Sequence, residues 1–206
     1  MIFPLTEQTL PDAVKLLVAQ DTDLAQVVTR FGHPPLWARP TGFPTLVYII
    51  LEQQVSLASA KAAFDRLLLA TNPLTPLQFL ALSDEQLRLI GFSRQKTRYC
   101  RLLAQAVLDG KIDFNLLDTS PDEQVYAALT SLTGIGAWTA NIYLLMALCR
   151  PDVWPSGDLA LQIAVQQVKG LPARPTVAQM DALGDSWRPF RSVAARILWH
   201  HYLSRS

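Results

Sequence analysis

Cysteine is nearly absent from this chain. With Cys100 and Cys149 alone among 206 residues, a disulfide framework, a four-thiolate iron–sulfur cluster and a Cys-rich zinc site are all excluded within one chain. Histidine is as scarce: His33 lies far from the adjacent His200 and His201, and neighbours on a helix point in different directions, so no ligand set for a hydrolytic metal is in view. Long apolar runs are missing too. The longest spans residues 142–149, against the 18 or so consecutive apolar residues expected of a membrane span. The N-terminus, Met1-Ile2-Phe3-Pro4-Leu5-Thr6-Glu7, lacks the basic and long apolar stretches of a signal peptide, so an intracellular location and no membrane partner are expected. Any chemistry is therefore expected from oxygen and nitrogen groups.

The composition is that of a folded domain: 50% of residues are hydrophobic and only 17% charged, which excludes a disordered chain. The net charge of +1 hides an uneven distribution. Arg88, Arg94, Lys96, Arg98, Arg101 and Lys111 face a single acid, Asp109, whereas the first 29 residues carry Lys15 against Glu7, Asp12, Asp21 and Asp23. Arg188, Arg191, Arg196 and Arg205 close the chain against Asp185. A basic stretch can be a solvated helix face or a phosphate-binding one, and a companion motif has to decide.

Apolar residues recur at three- and four-residue steps, so the fold class is all-α. Helices are predicted over 9–19, 23–31, 44–53, 57–70, 75–81, 83–90, 93–109, 120–132, 137–149, from 158, 176–187 and 189–203. Their punctuation is explicit. Ser56 is a candidate N-cap, Gly91 and Gly110 are C-terminal stops, and Ser120-Pro121-Asp122-Glu123 has the order of a capping box with Pro at the first helical position. The Pro-rich connector 32–42 precludes regular structure.

The most informative stretch is Leu132-Thr133-Gly134-Ile135-Gly136-Ala137-Trp138-Thr139-Ala140. Two glycines one residue apart allow a sharp turn and close backbone approach. They precede a predicted helix N-terminus, where unpaired N–H groups favour an anion such as a DNA phosphate. No Gly-Lys-Ser/Thr follows, so this is no Walker loop, and no strand precedes it, so it is no dinucleotide fingerprint. Trp154-Pro155-Ser156-Gly157-Asp158 then places a carboxylate as a new helix starts. An Asp there caps a helix as readily as it does chemistry.

Together these stretches resemble the helix–hairpin–helix DNA glycosylase superfamily, and within it the 3-methyladenine DNA glycosylase II, or alkylbase glycosidase, branch. The resemblance rests on 33–37 with 42–46, on Ile50-Leu51-Glu52-Gln53-Gln54-Val55-Ser56, on 132–141, and on Trp187-Arg188-Pro189-Phe190-Arg191-Ser192 with Trp199. It implies one domain over 1–206, with a helical lobe at about 43–118 inserted between the N-terminal segment and a lobe at about 119–206. The helix–hairpin–helix would lie at about 121–149, and the active-site cleft between the lobes. Asp158 takes the place of the catalytic carboxylate. Trp138, Trp199, Tyr143, Phe43 and Trp187 become candidates for the base pocket, with Trp199 foremost for stacking on a flipped base. Gln53 or Gln54 would be the wedge that fills the duplex, and Gly134, Ile135, Gly136, Thr139, Arg94 and Lys96 would meet the DNA backbone.

The resemblance also implies no redox cofactor and no catalytic metal, the one ion it allows being a structural Na+ or K+ on the backbone of Leu132 and Gly134. Bifunctional relatives carry a Lys near position 138; here the residue is Trp138, and no Lys occurs between Lys111 and Lys169. The implied enzyme is a monofunctional glycosylase of alkylated purines. It would act as a monomer on damaged double-stranded DNA, cytoplasmic and nucleoid-associated in a bacterium. A glycosylase for another class of lesion, or a non-enzymatic DNA-binding module of the same hairpin, are the alternatives that the residues leave open.

Overall fold

The computed structural model describes residues 4–205; Met1, Ile2 and Phe3, with which the N-terminal stretch begins, and Ser206 lie outside them. Every regular element among the described residues is helical, as the apolar periodicity requires. The chain divides into two compact units, residues 39–143 and residues 1–38 with 144–206. This differs from the expected division, which grouped the hairpin with the C-terminal helices. The reason lies in the packing of α10 (Ala137–Ile142), which rests on α9 (Asp122–Thr130) and α3 (Phe43–Glu52). The helix expected over 137–149 also changes character, opening into a π-helical segment over Tyr143–Ala147.

The larger part of unit 39–143 is α3, α4 (Leu57–Ala70), α5 (Pro76–Ala81), α6 (Asp84–Ile90), α7 (Arg94–Leu108), α8 (Phe114–Thr119), α9 and α10. Helix α3 packs on α4 and α7, and α5 on α7, around Leu46, Ile50, Leu67, Phe79, Leu87 and Leu103, all buried. Several helix starts here carry side-chain caps: Ser56 accepts from the Ser59 N–H at 3.2 Å, and Ser83 and Gln86 form a reciprocal capping box. Each such cap is worth about 0.5–2 kcal/mol. The expected box at Ser120 does not form. Its hydroxyl turns back to the Leu116 carbonyl at 2.7 Å, and α9 starts from Pro121 without a side-chain cap. The cause is α8, six residues capped by Asp113 and too short to show a period.

The other unit is built from α1 (Leu10–Val18), α2 (Thr22–Phe31), α11 (Leu159–Val168), α12 (Val177–Asp185) and α13 (Arg191–Ser204). Helix α13 packs on α11, α2 and α1, burying Val193, Ala194, Ile197 and Leu198 against Leu24 and Leu161. Asp21 caps α2 and also receives Lys169 Nζ at 2.7 Å and the Trp187 indole N–H at 2.7 Å. That contact pins the end of α11. Burial alone would raise the Asp21 pKa, but the hydrogen bonds from Lys169, Trp187 and the Leu24 N–H, with the Lys169 charge, hold it below the usual value. Arg196 is fully buried and has three backbone carbonyls around its guanidinium: Leu36 at 2.8 Å, Ser192 at 3.1 Å and Leu145 at 2.7 Å. Burial pulls its pKa down to about 10, which leaves it charged at neutral pH.

Candidate active site and nucleic-acid interface

Asp158 is the N-cap of α11. Its Oδ1 accepts the Leu161 N–H at 2.8 Å and the Trp199 indole N–H at 3.1 Å, so the carboxylate is oriented from its own helix and from α13. The loop that delivers it is tightly held. The buried Ser192 hydroxyl accepts the Val153 N–H at 2.9 Å and donates to the Val153 carbonyl at 3.1 Å. Trp154 donates its indole N–H to the Met180 carbonyl at 2.8 Å, and a Cβ at Gly184 would come within 2.7 Å of that nitrogen. Gln162 reaches back to the Ser156 carbonyl at 2.9 Å. The sequence singles out Asp158 but not Ser192, Trp154, Gln162 and Arg196 as supports of its surroundings, because no local spacing marks which polar group a side chain will reach.

The aromatic candidates separate by burial. Trp199, expected to stack on a base, is 8% exposed with its N–H on Asp158, so its contact in this structure is with the carboxylate. Trp187 is core: it is 1% exposed and packs edge-on against Trp154 at 5.1 Å. Phe43 packs edge-on against Phe79 at 6.1 Å in the other core. Tyr143 is fully buried, its hydroxyl accepting the Gly42 N–H at 3.0 Å, and burial pushes its pKa up to about 12. Among these five only Trp138, on α10, is half-buried rather than buried. Amphipathic spacing marks an aromatic as inward but cannot tell a pocket wall from a core.

In unit 39–143 the hairpin has two different glycines. Gly134 has φ +95°, and a Cβ there would overlap the Tyr99 ring at 2.1 Å, so internal packing alone demands glycine. Gly136 is the N-cap of α10 with extended backbone, and a Cβ there would meet nothing within 4 Å. No internal contact explains that second glycine, whereas close approach of a ligand to the backbone would. Ile135, expected to meet the DNA backbone, has its side chain buried and anchors the turn from within.

Gln53 does not point outward as a wedge would. Its amide donates to the Gly134 carbonyl at 3.0 Å and to the hydroxyl of buried Thr139 at 2.9 Å. Gln54 is exposed with φ +57°. Lys96 is half-buried and donates to the Leu51 carbonyl at 2.7 Å, so it caps α3, while Arg94 and Arg98, one turn apart on α7, are exposed. The two carbonyls expected to hold a monovalent cation each accept one hydrogen bond, Gly134 from Gln53 and Leu132 from the Ile135 N–H at 3.1 Å, which leaves each a second lone pair. No cluster of three or more His, Cys, Asp or Glu side chains suited to a metal occurs among the described residues.

Comparison with known proteins gives one consistent result. Residues 47–189 match the model of the HhH-GPD superfamily base excision DNA repair protein. The DNA-3-methyladenine glycosylase 1 of Schizosaccharomyces pombe is 30% identical over 162 residues, covering 76% of this chain and 71% of that protein. A Bacillus subtilis relative, 26% identical over 186 residues, is spanned over 65% of its own length. Among solved structures, the 3-methyladenine DNA glycosylase of Schizosaccharomyces pombe in complex with abasic DNA aligns with a TM-score of 0.87 at 27% identity, covering 91% of this chain and 95% of that one. A DNA-3-methyladenine glycosidase of Bacillus halodurans aligns with a TM-score of 0.75 at 34% identity, covering 91% and 87%. The family model spans well over half of the chain, and with the hairpin and the oriented aspartate already in place, the protein belongs to the HhH-GPD superfamily of base excision DNA repair proteins.

Proposed function

We propose that this protein is a monofunctional DNA glycosylase that removes alkylated purines from double-stranded DNA and leaves an abasic site. The observation that carries the reading is Asp158, a carboxylate held at the start of α11 by the Trp199 indole N–H. When the C1′–N bond breaks, its electron pair leaves with the base, and positive charge develops on the deoxyribose. A preorganised carboxylate stabilises that charge. Water then supplies hydroxide to C1′ and releases a proton. An N3- or N7-methylated purine already carries positive charge, so it departs neutral and needs no strong general acid. No Lys between Lys111 and Lys169 is available for a Schiff base with the sugar, hence no strand cleavage.

The remaining roles follow the chemistry of each group. Trp138, half-buried, is the candidate for the base, and a cationic base on an indole gains about 0.5–2 kcal/mol of cation–π attraction over a neutral one. Gly136 and the N-terminus of α10 would receive a phosphate, with Arg94 and Arg98 supplying further backbone contacts, and Gln54 would enter the duplex as the wedge. The protein acts as a monomer in this reading. Among the described residues no helix is long and apolar enough to cross a membrane.

The test is base release from methylated duplex DNA by the wild type and by Asp158→Asn, with one aliquot treated with alkali. Free 3-methyladenine or 7-methylguanine from the wild type, a loss of roughly 100-fold or more in the variant, and strand breaks only after alkali are expected. Release by Asp158→Asn at the wild-type rate would remove Asp158 from the reaction.

A further inference from the structure

Three consecutive residues at the end of α3 are each fixed by a different partner, and the next residue is the exposed Gln54. The Leu51 carbonyl takes the Lys96 ammonium at 2.7 Å. The Glu52 carboxylate, almost fully buried, receives both terminal nitrogens of Arg39 at 2.7 and 2.8 Å, and that guanidinium lies over the Tyr48 ring at 4.7 Å, which itself stacks on Phe64. The Gln53 amide bridges the Gly134 carbonyl and the Thr139 hydroxyl. Gln54, just past the C-cap of α3, then adopts the left-handed conformation, φ +57°, which is uncommon for a residue other than glycine.

An ordinary helix end does not need this arrangement. One cap satisfies the last carbonyls of a helix, yet here a cation, a bidentate ion pair and an amide bridge act on successive residues, and the amide reaches a hairpin 81 residues away. Lys96 leaves water to do so: burial lowers its pKa, and Cys100 is the other titratable group facing it.

We infer that residues 51–53 are a braced mount that holds Gln54 in fixed register with the glycine hairpin, making Gln53 and Lys96 positioning residues for extrusion of the damaged base. This rests on the glycosylase reading and on Gln54 as the wedge. A wedge held in place before encounter enters the duplex without an ordering cost at that moment, and a hairpin tied to it by one side chain fixes the distance from the anchored phosphate to the point of insertion. Gln53, expected as a wedge, and Lys96, expected on a phosphate, therefore act through Gln54.

The experiment follows extrusion by stopped flow, using 2-aminopurine beside a hydrolysis-resistant 3-deaza-3-methyladenine nucleoside in a duplex. The variants are Gln53→Met and Lys96→Met, which keep side-chain bulk and lose the donor, Gln54→Ala, and the Gln53→Met/Gln54→Ala pair. Each single variant is expected to slow extrusion about tenfold or more, and the pair to be no slower than Gln54→Ala alone. Opposite a one-nucleotide gap, where the lesion is already unpaired, all are expected within about twofold of the wild type. Thermal midpoints read alongside separate slow extrusion from unfolding, and Lys96→Met carries the test if Gln53→Met does not fold. A wild-type rate for both methionine variants, with Gln54→Ala slow, overturns the mount and leaves the wedge. Additive slowing in the pair, or equal slowing on gapped DNA, overturns it in favour of a hairpin role. A wild-type rate for Gln54→Ala removes the wedge and the mount together, while base release dependent on Asp158 stands.

Discussion

The two units differ in where their cations go. In residues 1–38 with 144–206, Lys169 lies on Asp21 and Asp23, Arg188 and Arg191 lie on Asp152, and Arg196 is turned wholly inward. That unit carries Asp158, and its internal pairing stiffens the helices that orient this carboxylate. Residues 39–143 also contain paired cations, at Arg39, Lys61, Arg101 and Lys111, yet they leave Arg94 and Arg98 exposed along α7 and Gly136 open. A reacting group needs a fixed surrounding, whereas a surface that meets phosphates needs charges kept in water until encounter.

The contrast can be broken most severely at its structural supports. Arg196→Leu leaves three buried carbonyls without their donor and is expected to cost about 3 kcal/mol or more in unfolding free energy, read from denaturant midpoints. Gly134→Ala in the other unit combines overpacking of ~1–3 kcal/mol against Tyr99 with ~1–2 kcal/mol of left-handed strain. Gly136→Ala, by contrast, should leave the unfolding free energy within about 0.5 kcal/mol of wild type and weaken DNA binding, which separates the folding glycine from the binding one. Equal loss of stability at both positions would abolish that distinction.

Subtler changes sharpen the comparison. Trp199→Phe keeps the ring and removes the N–H from Asp158; a fall of about tenfold in kcat at unchanged KM is expected, since hydrogen bonds to charged groups contribute about 1.5–3 kcal/mol. The Arg94→Gln/Arg98→Gln pair should leave kcat alone and reduce the salt slope of DNA binding by about 1 for each phosphate that is no longer neutralised. The smallest effect is in pH. Burial, aided by Arg205 and Arg30, lowers the His201 pKa below 6.5, and its Nδ1 has no hydrogen-bond partner. Stability tied to a neutral His201 is complete above pH 6.5 and is lost as pH falls from there through the lower folded value. The Asp21 contribution, from a depressed carboxylate, persists until pH falls below about 3.8. Thermal midpoints between about pH 7 and 5 should decline for the wild type and flatten for His201→Phe.

Much of the architecture was legible. Helix starts at Ser56, Ser83 and Thr176 were visible because a capping side chain acts within three residues of itself. Helix α8 and the π-helical segment were not, the first for lack of length, the second because an insertion in helical pitch leaves no mark in an evenly apolar run. In the candidate site, the turn at Gly134, Ile135 and Gly136 and the position of Asp158 at a helix start were readable from spacing and backbone chemistry. Gln53, Thr139, Lys96, Phe43, Tyr143 and Trp187 stand in the sequence as ligand-facing groups, but their partners, distant along the chain, turn them inward or onto neighbouring backbone.

By itself the sequence determined the helical class, the tight turn at two glycines and an aspartate at a helix start, since these depend on interactions within about four residues. Only the tertiary structure decided which polar side chains are braces and which face water. That choice rests on contacts between residues such as Gln53 and Gly134 or Trp199 and Asp158, which are far apart along the chain. For a half-polar side chain, burial with a partner and exposure to water differ by little in free energy, so the packing of the surrounding helices sets the outcome.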